Sequence, residues 1–130
     1  MSGTTHDPTP SFHFETVCID CEDAEVMAAF YGRLTGWEIT HRDGGFILMR
    51  DPRGGAGLSF ETRSDYRPPV WPEQPDAQDK MMHLEIRVQD LGAATAYALA
   101  AGARLASYQG RDDVRVMLDP AGHPFCLFLV

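Results

Sequence analysis

The chain has 130 residues, 44% of them hydrophobic and 23% charged, and a formal charge of −8. That size fits one domain or two small units sharing a core. The acidic balance argues against a nucleic-acid partner, which needs clustered Lys and Arg, and no run approaches the roughly 18 apolar residues of a membrane span.

Residues 1–12 form a polar stretch without an apolar signal core, so a disordered tail and a cytoplasmic protein are expected. Phe14–Asp20 alternates as a strand, with Val17 and Ile19 on one face and Thr16, Cys18 and Asp20 on the other. Asp23 is placed to cap a helix through Leu34, where Val26, Met27, Phe30, Tyr31 and Leu34 recur at helical spacing, and Gly36 ends it. Trp37–Arg42 and Phe46–Arg50 read as a hairpin around Asp43-Gly44-Gly45, and Ala56–Glu61 as a fourth strand. Thr62–Lys80 holds Pro68, Pro69, Pro72 and Pro75 with Tyr66 and Trp71; it reads as a linker that packs through its aromatics.

The order then restarts. Met82–Val88 reads as a strand, Asp90 as a cap, and an alanine-rich helix runs to about Ala101 before Gly102. Arg104–Tyr108, Val114–Leu118 and Pro124–Val130 are the remaining strands, the last two joined by Asp119-Pro120-Ala121-Gly122. Thr16 precedes Asp23 by seven residues, and His83 precedes Asp90 by seven. Asp51-Pro52-Arg53-Gly54 and Asp119-Pro120-Ala121-Gly122 hold the same place in each half, 68 residues apart where Thr16 and His83 are 67 apart. The chain is therefore read as an internal duplication: units 13–61 and 81–130 joined by 62–80, of class α+β. Two βαβββ units would pair into a cupped eight-stranded sheet with helices outside. The apolar residues Val17, Ile19, Leu84, Ile86, Val88, Phe125, Leu127 and Leu129 would pack under the helices, and the polar faces would line the concave side.

One polar face stands out: His83, Glu85 and Arg87 share it, opposite Leu84, Ile86 and Val88. Arg87 suits Glu85 or a ligand carboxylate as partner. Trp71 and Tyr66 would close over a pocket or pack on a partner subunit. His123, before Pro124 in a turn, reads as a structural hydrogen-bonding residue. Cys18, Cys21 and Cys126 form no even disulfide framework. The C-x-x-C pair lacks an intervening Gly-Pro and starts mid-strand, so buried thiols are expected rather than redox chemistry.

The combination of Asp23 with Phe30-Tyr31, Leu34-Thr35-Gly36-Trp37, Pro69-Val70-Trp71-Pro72, His83 with Asp90, and Asp119-Pro120-x-Gly122-His123-Pro124-Phe125-Cys126 resembles the glyoxalase-like domains of the vicinal-oxygen-chelate superfamily. Glyoxalases, bleomycin-resistance proteins and extradiol dioxygenases are members. The resemblance spans Phe14–Val130 and implies paired βαβββ modules, a small-molecule ligand and a homodimer. It does not imply one reaction.

In metal-dependent relatives, His and Glu on the first and last strands of each module hold a divalent Zn, Ni, Fe or Mn ion. Carried over by position, His83 matches the metal ligand on the first strand of the second unit. Its counterpart is Thr16, and the last-strand positions fall on Cys126 and near Leu58 or Ser59. Glu61 shares strand parity with Ser59, two residues further along. With one expected ligand in four places, no cofactor is expected, although a remodelled site of His83 with Glu61, Glu85 or Cys126 stays open.

The expectation is a small-molecule-binding protein of the resistance or sequestration type, with His83, Arg87, Thr16, Trp71 and Cys126 contacting the ligand. The alternative is a metal-dependent lyase, isomerase or dioxygenase with Glu61 or Glu85 as proton-transfer base. Metal-free chemistry on Glu85, His83 or Cys126 ranks last.

Overall fold

The computed structural model describes residues 10–129, so positions 1–9 of the expected tail lie outside the described residues. Strand β1 (Thr16–Cys21) leads to Asp23, whose carboxylate accepts the Glu25 N–H at 2.9 Å and starts helix α1 (Ala24–Thr35). Gly36, at φ 77°, ends the helix in the left-handed region where a side chain would be strained. Strands β2 (Glu38–Asp43), β3 (Phe46–Arg50) and β4 (Gly57–Thr62) complete the first unit. The second unit repeats the plan. It runs β5 (Leu84–Arg87), α2 (Leu91–Ala101), β6 (Arg104–Leu105), β7 (Val114–Leu118) and β8 (Pro124–Phe128). Asp90 caps α2 through the Ala93 N–H at 2.9 Å.

The eight strands form two four-stranded mixed sheets, ordered β1-β4-β3-β2 and β5-β8-β7-β6. In each, the first strand pairs in parallel with the last. Thr16 pairs with Gly57 and Leu84 with Phe125, partners 41 residues apart in both units. The duplication thus extends to strand register. β1 and β5 lie at the outer edges of their own sheets.

Three strands fall short of their expected lengths, for local reasons. The regular Arg104–Tyr108 strand stops at Leu105; the Ala106 N–H still reaches the Val116 carbonyl at 3.0 Å, and there the Gln109 side chain takes up the remaining backbone groups. Its amide donates to the Ala106 and Val116 carbonyls at 2.9 Å and accepts the Val116 N–H at 2.8 Å. β5 begins at Leu84 rather than Met82, since Met81 sits at φ 59° and turns the chain off the strand direction. β8 ends at Phe128, and Leu129, expected in the core, is 39% exposed.

One core serves both units. Phe60, Ile47 and Met49 from the first sheet join Phe125, Met117 and Leu127 from the second, with both helices packed against them. α1 does most of the joining. Tyr31 stacks on Phe60 at 5.5 Å and meets Phe125 at 6.3 Å, while Phe30 meets Phe125 at 5.9 Å. Each buried aromatic of this kind contributes about 1.5–3 kcal/mol. α2 is alanine-rich and approaches closely, its last-turn Ala101 carbonyl accepting two bonds from Arg33. Val17, Ile19, Leu84, Ile86 and Val88 pack against this core, which leaves the opposite faces of β1 and β5 to their polar residues.

Candidate functional site

Strand parity decides which side chains share the polar faces. In the first unit Thr16, Cys18 and Asp20 lie beside Gly57, Ser59 and Glu61, while Leu58 and Phe60 point into the core. The last-strand position left open between Leu58 and Ser59 therefore falls on Ser59. The 67-residue offset carries Thr16 to His83, Cys18 to Glu85 and Ser59 to Cys126.

The two copies of this face hold different chemistry. In the first, Thr16 Oγ1 and Ser59 Oγ are hydrogen-bonded at 2.9 Å, and Ser59 is buried. Two neutral hydroxyls that satisfy each other are poor ligands for a divalent ion. In the second, His83 Nε2 lies 2.5 Å from Glu85 Oε2, and the Glu85 carboxylate is thereby taken by His83 rather than by Arg87. Cys126 lies on β8 beside Glu85, and the donor atoms of His83, Glu85 and Cys126 all fall within 4.8 Å of one another. Burial pushes the Cys126 thiol up to about 11, with the Glu85 carboxylate adding to the effect, so Cys126 carries its proton near neutrality. Glu61 is exposed on the first unit's face and stands outside this group. The residues present do not fit the ion-binding set of the metal-dependent relatives, because the first unit supplies only hydroxyls at its two positions.

The linker adds a feature that strand pattern alone could not reveal. Trp71 lies over the second unit's polar face, packed with Ala106, Val116 and Cys126 and flanked by Val114 and Leu118. Lys80 Nζ stands 4.5 Å from its ring centroid and pairs with Glu73 at 3.0 Å. The Trp71 indole N–H is buried without an acceptor among the described residues. Trp71 thus packs on the second sheet of its own chain, a contact that decides between neither of its two expected roles. Tyr66 buckles the other end of the linker to the final turn, donating to the Ala121 carbonyl at 2.7 Å.

That turn holds the residues sequence reasoning passed over. Asp119 is fully buried and accepts the Tyr31 hydroxyl at 2.8 Å and the N–H groups of Ala121 and His123 at 2.9 and 3.0 Å. Burial and the Asp119 carboxylate hold the Tyr31 hydroxyl far above the ordinary phenol range. Both residues stood in the motif that carried the resemblance, and that was the available signal. His123 Nε2 donates to the Asp20 carbonyl at 2.7 Å, tying the turn to β1 in the structural role expected of it. Of the cysteines, Cys21 is buried and its thiol is pushed up to about 11 by burial and then by Asp23. Cys18, expected to be buried, is exposed on the polar face of the edge strand β1.

One cavity opens between β1 and β5, and a second beside β5 where α1 and α2 meet it. One, of about 490 Å³, is lined by Val17, Cys18 and Ile19 on one side and Met82, His83 and Leu84 on the other, with Tyr31 and His123. The other, of about 570 Å³, is lined mainly by Leu34, Trp37, Leu58, Ile86, Tyr97 and Leu127, together with Glu85 and Arg87. Both volumes suit a small organic molecule.

Comparison with known proteins agrees with this architecture. A glyoxalase/bleomycin resistance protein/dioxygenase family enzyme from Burkholderia phytofirmans PsJN has 19% sequence identity and a TM-score of 0.69, over 92% of this chain and 99% of that one. The glyoxalase family protein from Enterococcus faecalis has 19% identity and a TM-score of 0.64, over 88% of this chain and 94% of that one. TnmS3, an antibiotic binding protein from Streptomyces sp. CB03234, has 16% identity and a TM-score of 0.62, over 94% and 98%. At these identities the likeness is one of fold. No curated protein sequence matches the chain. The family model described as the glyoxalase-like domain matches residues 16–128. The chain therefore belongs to the glyoxalase-like domain family, within the vicinal-oxygen-chelate superfamily.

Proposed function

We propose that this protein binds a small, largely apolar molecule and sequesters it without chemistry. The observation that carries the reading is the Thr16–Ser59 hydroxyl pair at 2.9 Å, standing where an ion-binding relative would place half its ligands. The fold is that of the family and two largely apolar cavities lie beside β5, while the first unit offers only hydroxyls at its two ligand positions. An antibiotic binding protein among the structures of similar fold supports the same direction. In this reading His83 meets the ligand in one cavity and Arg87 in the other, while Thr16, Cys126 and Trp71 stand on the polar faces outside both linings and reach it from beside them, within two halves, 13–61 and 81–130, of one domain.

The reading includes a homodimer in the cytoplasm. Unpaired strand edges β1 and β5 and the exposed Phe12, Phe14, Met81 and Met82 support a partner copy lying along that side. Three free thiols support a reducing compartment. No helix among the described residues is long and apolar enough to cross a membrane.

Titration of the intrinsic tryptophan fluorescence with a panel of aromatic drug-like compounds tests the binding, and light scattering tests the dimer. Saturable quenching that Trp37→Phe removes is expected, since Trp37 lines the larger of the two cavities. A flat response to the whole panel, or a monomer of 14.4 kDa, sinks the corresponding part. The second reading, a lyase, isomerase or dioxygenase with Glu61 or Glu85 as base, rests on the His83–Glu85 pair. It requires turnover that Glu85→Gln abolishes while ligand binding persists.

A further inference from the structure

We propose that the larger cavity, beside β5, selects an aromatic carboxylic acid, whose anionic end pairs with Arg87 while its apolar body fills the cavity. The proposal rests on the reading of this protein as a small-molecule binder and names the class of molecule bound. It turns on charge, which the volume and apolar walls of the cavity alone do not specify.

At about 570 Å³ the cavity has room for a body of about two rings among Leu34, Trp37, Ile86 and Tyr97. Most polar side chains around its wall are already committed within the chain. The Tyr31 hydroxyl donates to Asp119 at 2.8 Å, that of Thr35 to the Tyr31 carbonyl at 2.6 Å, and that of Tyr97 to the Arg33 carbonyl at 3.0 Å. Arg53 donates twice to Asp51, at 3.1 and 3.3 Å, and the Glu85 carboxylate lies 2.5 Å from His83. Arg87 is different. Among the described residues its guanidinium has no hydrogen-bond or ion-pair partner, and neither has the Trp37 indole N–H. The two uncommitted side chains at the wall are therefore both donors, and one of them is a cation.

A guanidinium is well shaped for a carboxylate, because its planar fork donates two parallel N–H bonds. Arg87 is exposed at the cavity wall, beside apolar surface that strengthens an ion pair relative to one in open water. Trp37 and Tyr97 supply aromatic surface for the body of the acid. The chain as a whole carries a formal charge of −8, so no general field draws anions in. Preference for an anion must then come from this local cation, which ties the proposal to one side chain.

The test titrates the full chain calorimetrically with a biphenyl carboxylate and with the neutral biphenyl carboxamide of the same shape. The carboxylate is expected to bind about tenfold or more tighter than the carboxamide. Arg87→Gln should bring the carboxylate down to the level of the carboxamide, so that the preference is lost rather than affinity in general. Arg87→Lys, which keeps the charge without the fork, should retain part of the preference. Failure of the carboxylate to bind, equal binding of the two compounds, a preference that survives Arg87→Gln, or equal weakening of both in that variant overturns the proposal. The two readings fail separately. Carboxamide binding without preference for the acid leaves sequestration standing and removes this proposal. A preference that Arg87→Gln removes, with the acid recovered chemically altered, keeps this proposal and removes sequestration.

Discussion

The two polar faces are built on one backbone plan, yet they have gone separate ways. Thr16, Cys18 and Ser59 occupy the positions of His83, Glu85 and Cys126, each 67 residues earlier. The first face is closed by its own chemistry, a hydroxyl pair at 2.9 Å, and its Cys18 is exposed. The second holds a histidine, a carboxylate and a thiol, and the linker lays Trp71 across it. Register fixes where side chains point, and residue type alone decides what the place can do. A duplicated fold can therefore keep its geometry while its two copies carry different side-chain chemistry.

The largest expected effect tests whether the two units are energetically one body. Phe125 of the second sheet is fully buried and meets both Phe30 and Tyr31 of α1. Phe125→Ala should cost about 3–5 kcal/mol. Loss should appear as a single shifted unfolding transition in urea, read by fluorescence and circular dichroism alike. Two separated transitions would show that the units fold apart.

Next in size is the cover on the second face. Trp71→Ala leaves Val116 and Cys126 without their neighbour, for a loss of about 1–3 kcal/mol. It should also make Cys126 accessible to alkylation, raising its modification rate while leaving that of Cys18 alone. Equal acceleration at both thiols would mean general loosening rather than an opened face.

These two faces also mark the limit of what strand pattern conveys. The duplication, helix caps and strand order were legible, because Asp23 and Asp90, Gly36 and Gly102, and the two Asp-Pro-x-Gly turns repeat the same local chemistry. The shared face of His83, Glu85 and Cys126 was legible as parity, once the parallel pairing of β5 with β8 was assumed. The position of Trp71 was not, because Thr62–Lys80 has no periodicity and its contact with Val116 spans 45 residues. The early end of β6 was equally hidden, since a glutamine side chain substituting for backbone rungs leaves no mark on hydrophobic pattern. The Tyr31–Asp119 bond, 88 residues apart, required knowing that α1 touches both sheets.

A smaller effect concerns the thiols. Cys126 and Cys21 are both held up to about 11 from an ordinary 9.0, so each stays protonated and slow to react near neutrality. Maleimide labelling followed by mass spectrometry should therefore modify Cys18 first. A raised thiol pKa means that the folded state keeps the proton more tightly than the unfolded chain. That contribution to stability is complete below about pH 9 and is lost as pH rises through about 11. Urea midpoints measured across this window should fall, and the fall should shrink in Cys126→Ser. Rapid modification of Cys126 at neutral pH in the intact protein would contradict this picture.

The smallest effect, a coupling energy of about 1 kcal/mol, decides what the first face has become. Thr16→Val alone removes one partner and leaves the buried Ser59 hydroxyl unpaired, costing about 1–3 kcal/mol. Ser59→Ala removes the more buried partner and leaves Thr16, which is only half-buried, to find water, so its cost should be lower. The double variant removes both hydroxyls and should recover much of the loss, giving a coupling of about 1 kcal/mol in a double-mutant cycle. The same cycle on the second face, His83→Ala with Glu85→Gln, should give less than about 1 kcal/mol of stability, because that pair is largely open to solvent. Coupling that is strong for the hydroxyls and weak for the imidazole–carboxylate pair would mark the first face as structural and the second as free to bind. The opposite order would reverse that assignment, since the second face would then hold the fold and the Thr16–Ser59 pair would be the one available to a ligand.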